Sequence, residues 1–191
     1  VIHASGSRAS PCPQPFPSVA LLAAAGISLV ASPGADGLFG AFLSLLMAAI
    51  AVVDSRRYVI PNELTAAAAA LALLRAGTVG PDAGWLGVAW AALRAAAIAL
   101  PFLALMLGYR RWRGRDGLGL GDIKLAAVAG AWLDFSTIFA VIELATLSAL
   151  GAYILNGYFR RRPLKATEFL PFGLFLAPAI WVGWLIEALL G

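Results

Sequence analysis

From Pro17 to the C-terminus the chain is a succession of apolar runs, most near bilayer-crossing length, separated by short polar or charged loops. Hydrocarbon offers the backbone no hydrogen-bond partner, so each run must satisfy its own N–H and C=O groups and folds as an α-helix. Composition agrees: 61% hydrophobic and 13% charged residues, against roughly 25% charged in an ordinary soluble domain. The expected fold class is all-α, a polytopic transmembrane helical bundle of about 6–7 membrane helices. Residues 17–191 should form that one domain. Residues 1–16, VIHASGSRASPCPQPF, are rich in Ser and Pro without a period and should be a flexible arm. The single cysteine, Cys12, excludes an internal disulfide and gives a structural zinc site no support. The only histidine, His3, lies in the same arm, and neither a metal nor another cofactor is expected.

The spans read as Pro17–Ser32, Leu38–Val53, Leu64–Ala76, Trp85–Gly108, Asp122–Leu133, Phe135–Phe159 and Leu170–Leu190. Pro61 and Asn62 open the third, and Glu63 suits the positive end of its dipole. Pro101 should kink the fourth, and the short fifth could be partly re-entrant. If RRWRGR faces the cytoplasm and the spans alternate, 12 of the 14 basic residues fall inside. They are Arg8, Arg56, Arg57, Arg110, Arg111, Arg113, Arg115, Lys124, Arg160, Arg161, Arg162 and Lys165, while Arg75 falls outside and Arg94 within a span. By the positive-inside rule this is a multi-pass protein of the inner (plasma) membrane, N-terminus cytoplasmic and C-terminus external. Its partner is the lipid bilayer. The net charge of +4 meets anionic lipid and calls for no nucleic acid.

Chemistry enters at GLGLGDIK, residues 117–124. Its glycines clear side chains from a place where backbone must bend or pack closely, and Asp122 follows them at the mouth of a span. An ionisable residue there is a functional-site candidate; the bland reading is a helix N-cap. Asp54 ends the second span, which runs inward, and Asp122 begins the fifth, which starts inside. Both carboxylates therefore lie at the cytoplasmic edge of the hydrocarbon. Such a pair in contact shares a proton, which suits peptide hydrolysis: the charged member takes a proton from water and the neutral member donates to the scissile carbonyl. Gly119 and Gly121 would let a substrate backbone approach. Lys124 reads first as a charge snorkelling to the interface. Two alternatives stay open, a metal-dependent membrane transferase and a non-catalytic assembly or transport protein. One further pairing follows from depth. Arg94 in the fourth span and Glu143 in the sixth lie about 13–14 Å and about 12 Å from the outer ends of their helices, so they are expected to form an interhelical ion pair.

Three blocks of sequence stand in order: Asp54 with Ile60-Pro61-Asn62 and Leu64-Thr65; Gly119-Leu120-Gly121-Asp122-Ile123-Lys124-Leu125 continuing to Gly130-Ala131-Trp132; and Leu170-Pro171-Phe172-Gly173 followed by Phe175-Leu176-Ala177. Together they resemble the type IV prepilin peptidases, which are GxGD intramembrane aspartyl proteases, from Leu38 to the C-terminus. The resemblance implies that Asp54 and Asp122 are the catalytic pair and that the substrate is a prepilin or pseudopilin precursor, cut on the cytoplasmic side before its hydrophobic helix. Gly119, Gly121, Lys124, Pro61 and Asn62 are the residues expected to contact the substrate. Long members carry an N-terminal domain with paired CxxC motifs and methylate the new N-terminus; this chain resembles the short, tight-adherence form, for which no methyl transfer is expected. The third block reads PFGLF where the family often has PFGPF, a difference expected to have little consequence.

Overall fold

The computed structural model describes residues 16–80, 82–114, 119–160 and 171–190. The expected arm, apart from Phe16, lies outside these residues, as do Arg115, Arg161, Arg162 and Lys165. Among the described residues there are seven helices and no strand: α1 Phe16–Ala31, α2 Ala35–Arg57, α3 Asn62–Thr78, α4 Trp85–Arg113, α5 Leu120–Trp132, α6 Phe135–Arg160 and α7 Gly173–Leu190. Each sits on one of the apolar runs. Four of them, α2, α4, α6 and α7, are long and apolar enough to cross a membrane. The chain turns between them with backbone that only permissive positions allow. Gly34 and Gly84, at the N-caps of α2 and α4, have φ of 104° and 114°, values open to glycine and strained for other residues. Pro101 lies inside α4 without ending it.

At the centre stands α5. Its 13 residues extend roughly 20 Å, short of a hydrocarbon core about 30 Å thick. Eight are buried: Ile123, Leu125, Ala126, Val128, Ala129, Gly130, Ala131 and Trp132. It packs on α3, α4, α6 and α7. Lipid tails are as apolar as leucine, so helices associate here through close packing, and small residues set how close they come. A Cβ on Gly130 would lie 2.8 Å from the Arg94 carbonyl and 2.9 Å from Ala95 Cα, so α4 runs directly against α5 there. Likewise α7 seats the fully buried Trp184 ring in the space that a side chain at Gly40 of α2 would fill.

Two clusters of polar side chains stand at opposite ends of the bundle. At one end Arg75 pairs with Asp36 and donates to the Trp132 carbonyl at 3.3 Å, with its guanidinium 5.5 Å from the centre of the Trp132 ring. The Trp132 indole N–H donates to the Ala68 carbonyl of α3 at 3.0 Å. Asp134 N–H donates to Glu187 at 2.8 Å. These groups surround a cavity of about 720 Å³, with Asp82 and Arg94 also lining it.

Arg94 does not pair with Glu143. It donates to Asp134 at 3.0 Å and to the Gly130 carbonyl at 3.4 Å, while Glu143 is exposed on α6. Depth counted along a helix says nothing of which way its face turns. Helix α4 packs on α3 and α5, α6 packs mainly on α7, and Arg94 reaches the α5–α6 turn instead. Asp134 is 71% exposed, so the pair should contribute no more than about 1 kcal/mol. In thermal denaturation in detergent, Arg94→Leu and Asp134→Leu should lose less together than the sum of their separate losses. Arg94→Leu and Glu143→Leu should be additive; coupling in the second pair and not in the first would reverse the assignment.

Candidate active site

At the other end of the bundle, α2 ends, α3, α5 and α7 begin, and both proposed aspartates are found. Asp54 occupies the last turn of α2 and is only 4% exposed. Helix α2 stops because Tyr58 takes the left-handed conformation, φ 54° and ψ 33°, with its N–H donating to the Asp54 carbonyl at 2.9 Å. The chain then passes through Val59 and Ile60 to Pro61, which caps α3 in the extended conformation (φ −65°, ψ 135°). The Asp54 carboxylate is met by the start of α7: its Oδ2 accepts the Leu174 N–H at 2.9 Å.

Asp122 is the third residue of α5, where the positive end of the helix dipole favours a carboxylate. Gly119 is the N-cap, its carbonyl accepting the N–H groups of Asp122 and Ile123 at 3.1 and 3.3 Å. Asp122 is half-buried and close enough to Asp54 for the charge on one carboxylate to act on the other. The structure thus brings together two carboxyl groups that lie 68 positions apart in the chain.

The glycines of this region are filled by the protein itself. A Cβ on Gly121 would stand 3.0 Å from Ile60 Cβ, and one on Gly173 would stand 2.8 Å from both Ile60 Cδ1 and Asp54 Oδ2. Ile60, 8% exposed, is therefore wedged between the first turns of α5 and α7, directly beside the Asp54 carboxylate. At Gly119 a Cβ would lie 3.0 Å from Asp122 Oδ2. Lys124 points to the other side of α5 and donates to Asn62 Oδ1 at 2.6 Å, joining α5 to the start of α3. Lys124, Asn62 and Thr65 line a mostly apolar cavity of about 510 Å³ between α3, α4 and α5, with Ala69, Ala95 and Val128 among its other walls. Pro61 accepts the Thr65 hydroxyl and N–H at its carbonyl and so sets the first turn of α3. Among the described residues no three His, Cys, Asp or Glu side chains gather in a way that could hold a metal ion.

Residues 41–155 match the type IV leader peptidase family. The chain belongs to that family. A prepilin leader peptidase/N-methyltransferase of Aeromonas hydrophila is 29% identical over 171 residues, which cover 87% of this chain and 57% of that protein. The protein of the same name from Xanthomonas campestris pv. campestris is 34% identical over 148 residues, 75% of this chain and 48% of its own length. The leader peptidase HopD of Escherichia coli is 39% identical over 84 residues, 44% of this chain and 54% of HopD. The chain spans about half the length of these relatives. No solved structure matches it.

Within this type IV leader peptidase fold, three groups beside the aspartates went unassigned in the sequence: Ile60, Gly173 and the Leu174 amide. The first two stand in the blocks that carry the family resemblance, but an isoleucine and a glycine advertise no chemistry. A main-chain N–H leaves no sequence signal at all. The wedge can be tested by stability. Ile60→Ala should destabilise the bundle by about 2–5 kcal/mol and Gly121→Ala by about 1–3 kcal/mol. With Ile60 already truncated, Gly121→Ala should be less harmful, because Ile60 Cγ1 and Cδ1, each 3.3 Å from the added Cβ, are gone and only the Ile60 Cβ at 3.0 Å is left to give way. Denaturation of the four proteins in detergent checks this; additive losses would mean that the glycine is not there to admit Ile60.

Proposed function

We propose that this protein is a membrane-embedded aspartic endopeptidase that removes the leader peptide from type IV prepilin or pseudopilin precursors. The observation that carries the reading is the meeting of Asp54 and Asp122 in a chain of the type IV leader peptidase family. Two carboxyl groups within each other's field hold one proton between them. The ionised carboxylate draws a proton from water as the water attacks the scissile carbonyl carbon. The protonated carboxyl delivers its proton to the carbonyl oxygen. A tetrahedral diol results; its collapse returns a proton to the leaving amine and breaks the C–N bond.

The positive-inside bias supports placing the aspartate end of the bundle at the cytoplasmic face, N-terminus inside and C-terminus outside. A precursor would present its scissile bond at that edge, with its apolar helix in the bilayer. We assign substrate contacts to Gly119 and Pro61 at the rim of the aspartate pair, to Gly121 through the backbone of the same turn, and to the Lys124–Asn62 bridge beside them.

Co-expression with a precursor, read by gel shift and N-terminal sequencing, tests the reading. Asp54→Asn and Asp122→Asn should each insert normally and lose cleavage by roughly 10²-fold or more, since the base or the acid is gone. Near-normal turnover in either variant would sink the pair. Cleavage should also survive EDTA; a chelator-sensitive reaction would instead favour the metal-dependent transferase.

A further inference from the structure

The two aspartates are not held alike. Asp54 Oδ2 accepts the Leu174 N–H at 2.9 Å, with the Gly173 amide acting on the same carboxylate. Leu174 is the second residue of α7, an 18-residue helix whose positive end therefore faces Asp54. The same N–H also reaches the Pro171 carbonyl, but at 3.3 Å, so its shorter bond is to the carboxylate. Asp122 has no such donor among the described residues: the N–H groups of Asp122 and Ile123 in its own turn go to the Gly119 carbonyl. Hydrogen bonds from N–H groups favour a carboxylate's ionised form, and the bond is stronger for the charge.

We infer that Leu174 is a positioning residue whose main-chain N–H fixes Asp54 as the ionised, proton-accepting member of the pair and leaves Asp122 as the proton donor. The inference rests on the proposed peptidase reading and adds a division of labour to it. It also gives meaning to the sequence PFGLF. A proline at position 174, as in PFGPF, has no N–H and could not make this bond. The substitution expected to matter little therefore adds a donor at the carboxylate. Gly173 serves the same arrangement from its other side, because any Cβ there would meet Asp54 Oδ2 at 2.8 Å.

Position 174 suits a clean test, since proline is tolerated in the first turn of a helix and removes only the donor. The purified full chain in detergent, acting on a type IV prepilin precursor, is compared with Leu174→Pro and Leu174→Ala. Leu174→Pro should lower kcat roughly tenfold. Its KM should stay within about a factor of two, and its thermal midpoint should fall by only a few degrees, the cost of a buried carboxylate with one donor fewer. Leu174→Ala, which keeps the N–H and loses the side chain, should match the native protein in both constants. Native kcat in Leu174→Pro overturns the inference. Equal losses in the alanine and proline variants also overturn it, because the side chain would then be what matters. Should Leu174→Pro fail to fold, replacing Leu174 by its α-hydroxy acid removes the N–H while keeping the side chain, and the same two outcomes decide. The parent reading fails separately: it falls if Asp54→Asn still cleaves, whereas a dead Asp54→Asn beside a normal Leu174→Pro removes only the role given to Leu174.

Discussion

Everything at the site end of this bundle follows from burying one carboxylate in the last turn of an apolar helix. Asp54 is 4% exposed, and a charge that far from water needs donors or it is expensive. The donor comes from a helix more than a hundred residues later, the start of α7. With the Gly173 amide beside it, that hydrogen bond draws the first turn of α7 onto the carboxylate. The end of α2 and the start of α7 must converge on one point, and the residues between them must be small or shaped to fit. Gly173 is small enough for the carboxylate, and Ile60 closes the gap between Gly173 and Gly121. The start of α5 is thereby brought in, and with it Asp122.

The rest of the fold serves to hold α5 still. A helix of 13 residues that is buried on most sides gains no anchorage from the lipid interfaces at both ends. It is held by contact, with α4 running over Gly130 and Trp132 bound to the α3 backbone and to Arg75. The ion pairs of the far end, Arg75 with Asp36 and Arg94 with Asp134, tie α2 to α3 and α4 to the α5–α6 turn. The first joins the end of α3 to the start of α2, and the second reaches from within α4 to the turn after α5, so between them they limit tilt and sliding.

How much of this was legible in the sequence depends on what each feature is made of. The helices were, because hydrocarbon admits few alternatives and the apolar runs are long. The nearness of Asp54 and Asp122 was, because alternating spans place the ends of α2 and α5 on one side. Depth along the membrane is a one-dimensional quantity that counting residues recovers. Facing around a helix is not, and so the pairing expected of Arg94 and Glu143 from depth alone fails, with Arg94 turned to Asp134 instead. The space at Gly121 read as room for a substrate backbone; in the fold, Ile60 occupies it. The Leu174 donor had no signal in residue types, since every residue but proline carries an N–H.

The short central helix has one more consequence. Trp132 anchors one end of α5 through the Ala68 carbonyl and Arg75, and Asp122 stands ten residues away at the other. Each residue added between them would advance Asp122 by about 1.5 Å and turn it by roughly 100° about the helix axis. The stretch from Asp122 to Trp132 is therefore a ruler as well as a helix. Its length aims the carboxylate, so substitutions along it can be absorbed by neighbouring side chains, but a single insertion or deletion would swing Asp122 away from Asp54 while every outer contact stayed in place.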